Sequence, residues 1–231
     1  MAATPDTWTD VQDERQALLS LLETLSPTQW DTPSLCSEWR VRDVVGHMVS
    51  ETTLTIPKVV VGVLTSGFRI NRFIANDARR RGGVDLAVLL EDFRMAVPTR
   101  THLRGLSSLS MLEDIVVHSL DIRRPLNAER SVPESRMVLV VADLWSSRFF
   151  PGHKLFAGLR VEATDANWSA GEGPVVRGPV EELILAMSGR TGGLDQLQGE
   201  GIASVRDRAA GQTSQSQNVK SQNLKRGFDH A

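Results

Sequence analysis

The stretch from Ser108 to Arg123 constrains this chain most, because it is apolar on most of its circumference and still carries acids and an imidazole. Leu112, Val116 and Leu120 recur at helical spacing as its main stripe, and Ile115, Val117 and Ile122 extend the apolar surface to other sides. Asp114 and His118 lie away from that stripe. A helix wrapped in apolar residues belongs inside a bundle, and once neighbours surround it such a polar strip must face an interior cavity. Pro125 closes the segment.

The rest of the first 150 residues reads as helices around it. Val11, Leu18, Leu19, Leu22 and Leu25 predict a helix from about Asp10 to Leu25, ended by Ser26-Pro27. A loop over 28–37 with Trp30, Pro33 and Cys36 leads into a helix from Val41 to Thr55, with Asp43 in its first turn, where the helix dipole favours a carboxylate. His47 sits at the flank of its apolar face. The segment 57–83, broken by Pro57 and several glycines and loaded with Arg69, Arg72, Arg79, Arg80 and Arg81, reads as a solvated connection with some helix, or as an attractor for an anionic ligand. Further helices are predicted over Val84–Ala96, before Pro98, and over Glu134–Phe149, where Val138, Val141, Ala142 and Trp145 are spaced for burial.

After Pro151-Gly152 the texture changes. Leu159, Val161 and Ala163 alternate with polar residues as in a strand, 170–174 reads as a turn, and Val175-Val176 suggest a second strand. Pro179 with Glu181-Glu182 starts a helix that Gly189 can stop, and 199–205 reads as a last strand. The polar stretch 211–231 holds too few apolar residues to order itself and reads as a disordered tail. The expected organisation is a helical bundle over 1–150, a small α/β domain over 151–210 and that tail, so the fold class is α+β and mainly α.

Composition narrows the functional classes. A net charge of −2 gives no general attraction to nucleic acid or to an anionic membrane surface. Cys36 is the single cysteine, which excludes an intrachain disulfide framework and a thiolate-rich zinc site and fits a reducing cytoplasm. The N-terminus lacks the segments of a secretory signal, and the apolar run at Val59–Leu64 is too short to span a bilayer.

The chemistry rests on His47, Asp114 and His118. Asp114 and His118, four apart, lie one turn above each other and can share an ion, with His47 as third ligand from another helix. Three protein ligands and an open position describe a catalytic divalent metal better than a structural one. The bland reading, an exposed or hydrogen-bonded histidine near a chance acid, is equally compatible with the spacing.

Three segments in order carry a resemblance: Pro33-Ser-Leu-Cys-Ser-Glu-Trp-Arg-Val-Arg-Asp-Val-Val-Gly-His47, then Asp114-Ile-Val-Val-His-Ser-Leu-Asp-Ile-Arg-Arg-Pro-Leu126, then Ala163-Thr-Asp-Ala-Asn-Trp-Ser-Ala-Gly-Glu-Gly-Pro174. With Gly189-Arg190 after a Leu-rich helix, the chain over about 8–206 resembles the actinobacterial mycothiol-dependent maleylpyruvate isomerase family. The resemblance implies a DinB-like four-helix bundle, a sterol-carrier-like C-terminal domain, and a divalent metal, zinc by preference, held by His47, Asp114 and His118. It further implies mycothiol as the partner thiol, activated by the metal to attack a small electrophilic substrate, in an isomerase or an S-transferase. The family is expected to have Glu at Asp114, one methylene longer, and a capping Ser or Thr at Arg40. Asp121 is a candidate to orient His118. Arg123 and Arg124 are candidates to clamp a carboxylate of substrate or mycothiol, and Arg190 to reach the ligand from the C-terminal domain. Cys36 reads as a half-buried loop residue, and His102, His153 and His230 have no partner pattern. No catalytic group beyond the metal set is identifiable, so a metal- or ligand-binding protein without turnover, or a hydrolase using zinc-bound water, stays open.

Overall fold

The computed structural model describes residues 6–100, 107–148 and 150–211. The chain divides within its eighth helix into two compact units, Met1–Asp143 and Leu144–Ala231. The architecture is α+β and mainly α, as the sequence predicts.

Four helices form a closed ring in the first unit: α1 (Trp8–Leu22), α3 (Val41–Thr53), α6 (Leu86–Ala96) and α7 (Ser108–Arg123). α1 packs on α6 and α7, and α3 packs on the same two. Twelve of the sixteen residues of α7 are buried, which makes it the enclosed helix that its all-round apolar surface demands. Leu18 and Leu22 of α1, Val44 and Val45 of α3, Leu89 and Phe93 of α6, and Leu112 and Ile115 of α7 are almost wholly buried. Burying one such side chain contributes roughly 1.5–3 kcal/mol. Local signals set the helix starts: Ser107 accepts from Ser110 N at 3.1 Å ahead of α7, and Asp85 accepts from Ala87 N at 2.8 Å ahead of α6.

Two segments of the first unit depart from the sequence reading. Within the expected loop lies a short helix, α2 (Pro27–Trp30), because Ser26 and Gln29 form a capping box with Pro27 inside its first turn. The expected connection over 57–83 is two helices, α4 (Ile56–Thr65) and α5 (Ile70–Gly82), joined by a turn in which Gly67 and Phe68 both take positive φ. Pro57 opens α4, where its missing N–H has no intrahelical bond to make. The three arginines at the end of α5 are paired: Arg79 with Glu38, and Arg80 and Arg81 with Asp77.

α5 lies against α3 backbone to backbone. A Cβ at Gly46 would come within 2.6 Å of Gly82 N, and one at Gly82 within 2.8 Å of Asp43 Cα. This contact fixes the height of α3 one residue before His47. At the start of α3, Asp43 accepts from the backbone N of Arg40 and from its Nε, both at 3.0 Å, so an ion pair compensates for the absent hydroxyl cap.

α8 (Glu134–Ser146) is tied to α1 by charge. Glu14, fully buried, pairs with both Arg130 and Arg136, and Arg136 also reaches Asp10 and Asp13. The buried stripe of α8 is Met137, Val140, Val141 and Leu144, one position out of step with the predicted one. Phe149, the predicted end, and His102 lie outside the described residues.

The second unit holds α9 (Gly152–Leu155), a three-stranded sheet and α10 (Val180–Met187). Central β1 (Arg160–Ala163) pairs antiparallel with β2 (Ser169–Ala170) and parallel with β3 (Val175–Gly178), with Val161 opposite Ala170 on one side and Val176 on the other. A 3₁₀ turn over Thr191–Gln196 follows α10. The predicted strand at 199–205 is instead the start of a helix over 202–211. Its buried positions, Val205 and Ala209, are four apart, and a window ending at 205 shows only half of that period. The predicted tail beyond 211, with His230, lies outside the described residues.

Candidate metal centre

α3 and α7 bring His47, Asp114 and His118 together. One ligand atom from each lies within 4.8 Å of the others. Asp114 Oδ1 is 3.8 Å from His47 Nε2 and 3.3 Å from His118 Nε2. Ligand atoms bonded at about 2.0–2.2 Å to one tetrahedral ion sit roughly 3.3–3.6 Å apart, so this donor set fits a divalent cation with only side-chain adjustment. The two imidazoles meet edge to face, ring centres 5.0 Å apart.

Asp121 stands behind His118. Its Oδ2 lies 2.8 Å from His118 Nδ1, and the carboxyl is fully buried. An imidazole donating from Nδ1 keeps a lone pair on Nε2, the atom that faces the cluster. The backbone of Asp121 also accepts from Leu35 N at 3.1 Å, which anchors the loop before α3. That loop carries Trp39, with its ring 5.1 Å from His47 and 6.2 Å from His118, as an apolar wall on the two histidines. Cys36, half-buried, belongs to the same loop.

Sequence reasoning missed Glu51. It lies four residues after His47 on α3, with Oε1 3.7 Å from His47 Nε2, and its spacing is the same one-turn signal that singled out Asp114 and His118. Burial pushes the Glu51 carboxyl well up, and the charge and hydrogen bond of Asp114 push it the same way. Burial also raises Asp114, but His118 and His47 outweigh it and hold that carboxyl well below its ordinary range. For His118 burial works downward, yet Asp114 and Asp121 prevail and keep the imidazole well above its usual value. The three groups are thus mutually linked around Asp114, and a divalent cation held by the histidines and this carboxylate would match its charge. Arg15 of α1, buried, adds positive field toward Glu51 and Asp114, while its Nη1 donates to Ala96 O and Thr99 O.

The three arginines fare differently. Arg123 is buried against α1, with its Nη2 donating to Ala17 O at 2.8 Å, so it ties α7 to α1. At about 100° per residue it sits roughly 140° around α7 from His118, and Arg124 roughly 120° the other way. Arg124 is exposed at the C-cap of α7. Arg190 belongs to the second unit, where its Nη1 donates to Ser188 O at 2.7 Å. His153 Nδ1 lies 2.8 Å from Phe150 O in the same unit.

These observations define a two-unit, mainly helical protein whose four-helix ring carries a histidine–carboxylate cluster able to take one cation. Residues 11–103 match the mycothiol maleylpyruvate isomerase N-terminal domain. Solved structures agree in fold: a crystal structure of the mycothiol-dependent maleylpyruvate isomerase aligns with a TM-score of 0.52 at 11% identity, covering 87% of this chain and 96% of that one. A histidine-to-alanine mutant of that enzyme aligns equally well at 10% identity. No curated protein matches the chain.

Proposed function

We propose that this protein is a mycothiol-using enzyme that adds a thiol to an electrophilic small molecule, with a divalent metal, zinc by its donor chemistry, held by His47, Asp114 and His118. The observation that carries the reading is the convergence of those three ligand atoms within 4.8 Å. A metal bound there supplies a Lewis acid that lowers the pKa of a thiol, so that thiolate is present at neutral pH.

The chain's own residues do the rest. Asp121 fixes the tautomer and the ring of His118. Glu51, beside His47 and Asp114, is placed to act as proton donor to a substrate oxygen that becomes anionic on addition. Trp39 keeps water from the histidines on one side. In an isomerase the conjugated double bond of the substrate becomes single on thiol addition, rotates, and re-forms as the thiol leaves; in an S-transferase the adduct is released. Asp114 would hold the metal through an arm one methylene shorter than the expected Glu. Cytoplasmic location belongs to this proposal and rests on the single Cys36. No helix among the described residues is long and apolar enough to cross a membrane.

The test is metal stoichiometry on the purified protein together with a mycothiol conjugation assay over a panel of electrophiles. One metal per chain with thiol-dependent turnover is expected. Metal without thiol-dependent turnover would establish a binding protein instead, and turnover without thiol a hydrolase.

A further inference from the structure

On the α5 side of His47 and Glu51 lies a cavity of about 160 Å³, walled by α3, α4 and α5. Beyond those two residues its wall is aliphatic and aromatic: Leu54 after α3, Val59 of α4, and Ile70, Phe73 and Ile74 of α5. The other polar groups in the wall, Ser50 and Asp77, satisfy each other, because Ser50 Oγ donates to Asp77 Oδ2. Asp77 is held from outside by Arg80 and Arg81, and those guanidiniums do not line the cavity. Burial raises the Asp77 carboxyl, but the hydrogen bonds of Ser50 and Arg80 and the arginine charges outweigh it, so it stays ionised. Among the described residues no Lys or Arg faces the space.

Away from His47, an anionic group on the α4–α5 wall would lose its water beside Asp77 with no Lys or Arg lining the pocket to replace it. Desolvating an unpaired carboxylate is among the costliest moves in a protein interior. An apolar group meets matching surface in this half-open pocket, and roughly 150 Å³ of space lined by Leu, Ile and Phe is enough for a benzene ring. Size and polarity therefore specify the same occupant.

We infer that this pocket receives an uncharged, apolar substituent of about benzene size, so that the electrophile is a neutral conjugated carbonyl compound bearing an aryl or branched alkyl group. A dicarboxylate such as maleylpyruvate does not match it. The inference rests on the proposed thiol addition for the reaction, and on the cavity alone for the selectivity. Gly62 sets the shape of the pocket: its Cα lies under the Phe73 ring, and a Cβ there would approach Phe73 Cζ to 2.8 Å, with closer contacts to the ring edge. A larger residue at 62 drives the ring toward the cavity.

The test has two arms. In the first, benzene is titrated into the purified protein while methyl resonances of Val59 and Ile74 are followed by NMR. Saturable shifts confined to the pocket methyls are expected, and their absence overturns the inference. In the second, mycothiol addition is measured for 4-phenylbut-3-en-2-one and for 4-oxopent-2-enoate, which place a phenyl or a carboxylate on the same enone. Each rate is divided by its uncatalysed rate. The phenyl compound is expected to be favoured at least tenfold, and equal or reversed preference overturns the inference. If neither enone turns over but benzene still binds, the pocket stands and the thiol-addition reading fails. Gly62→Val is expected to raise KM for the phenyl compound at least tenfold with metal content unchanged. Should that variant not fold, Ile74→Ala replaces it and is expected to shift preference to bulkier aryl groups.

Discussion

Asp121 and His118 form a buried carboxylate–imidazole pair, Oδ2 to Nδ1 at 2.8 Å, one turn apart on the same enclosed helix. The pair presents His118 Nε2 to Asp114, 3.3 Å from its Oδ1. Asp121→Asn keeps the shape and removes the charge that fixes the tautomer. Metal affinity is expected to fall about 10- to 100-fold, measured by chelator competition, with helical circular dichroism unchanged. An unaltered affinity would show that the carboxylate serves packing alone.

His118→Ala is expected to abolish stoichiometric metal retention while leaving the helical signal largely intact. His47→Ala, on the other helix, is expected to do the same. Elemental analysis after desalting reads the outcome, and retained metal in either variant contradicts the ligand assignment. The two variants together separate a shared ion from one held by α7 alone.

The site and the fold were legible in the sequence to different depths. Asp114 and His118 declare themselves because α7 is apolar nearly all round, so its few polar residues have to face something built. Glu51 shows the same one-turn spacing from His47, but an acid on an amphipathic helix also reads as solvent-facing, and only the proximity of Asp114 from α7 gives it a role. Arg123 shows the reverse. A charge close in sequence to the ligands suggests substrate binding, and the helix turns it onto α1. α4 was hidden because Pro57 and Gly62 read as breaks and Val59, Val60 and Val61 form an uninterrupted apolar run that does not tell helix from strand. Its apolar residues are also weakly buried, with Ile56, Val60, Val61 and Leu64 each 51–59% exposed.

Glu14 is the fully buried hub of an ion-pair network that joins α1 to Arg130 and Arg136. Glu14→Gln removes the charge and leaves two guanidiniums facing an amide. A loss of about 3–5 kcal/mol is expected, the range for breaking a buried pair by removing one partner, read from urea unfolding. Metal content of the folded protein should not change, because the network lies apart from the cluster. A loss below about 1 kcal/mol would mean that Asp10 and Asp13 alone satisfy Arg136.

Asp77 supplies the pH dependence that can be checked away from the candidate metal cluster. Burial raises its carboxyl, but Ser50, Arg80 and Arg81 outweigh that and hold it below the ordinary value, so the unfolded chain binds this proton more readily than the folded one. By linkage its stabilisation is complete above the ordinary carboxylate range, near pH 4, and is lost as pH falls through the lower folded value. Asp77→Asn keeps the acceptor for Ser50 and removes the charge. The variant is expected to be less stable than the parent by about 1–3 kcal/mol at pH 7, with the gap narrowing steadily below pH 4 because the parent loses the charge there too. Urea midpoints for both proteins at pH 7, 5 and 3 decide it. A gap that stays constant or widens on acidification would place the stabilisation of α5 on the Gly46–Gly82 contact and not on the ionised Asp77.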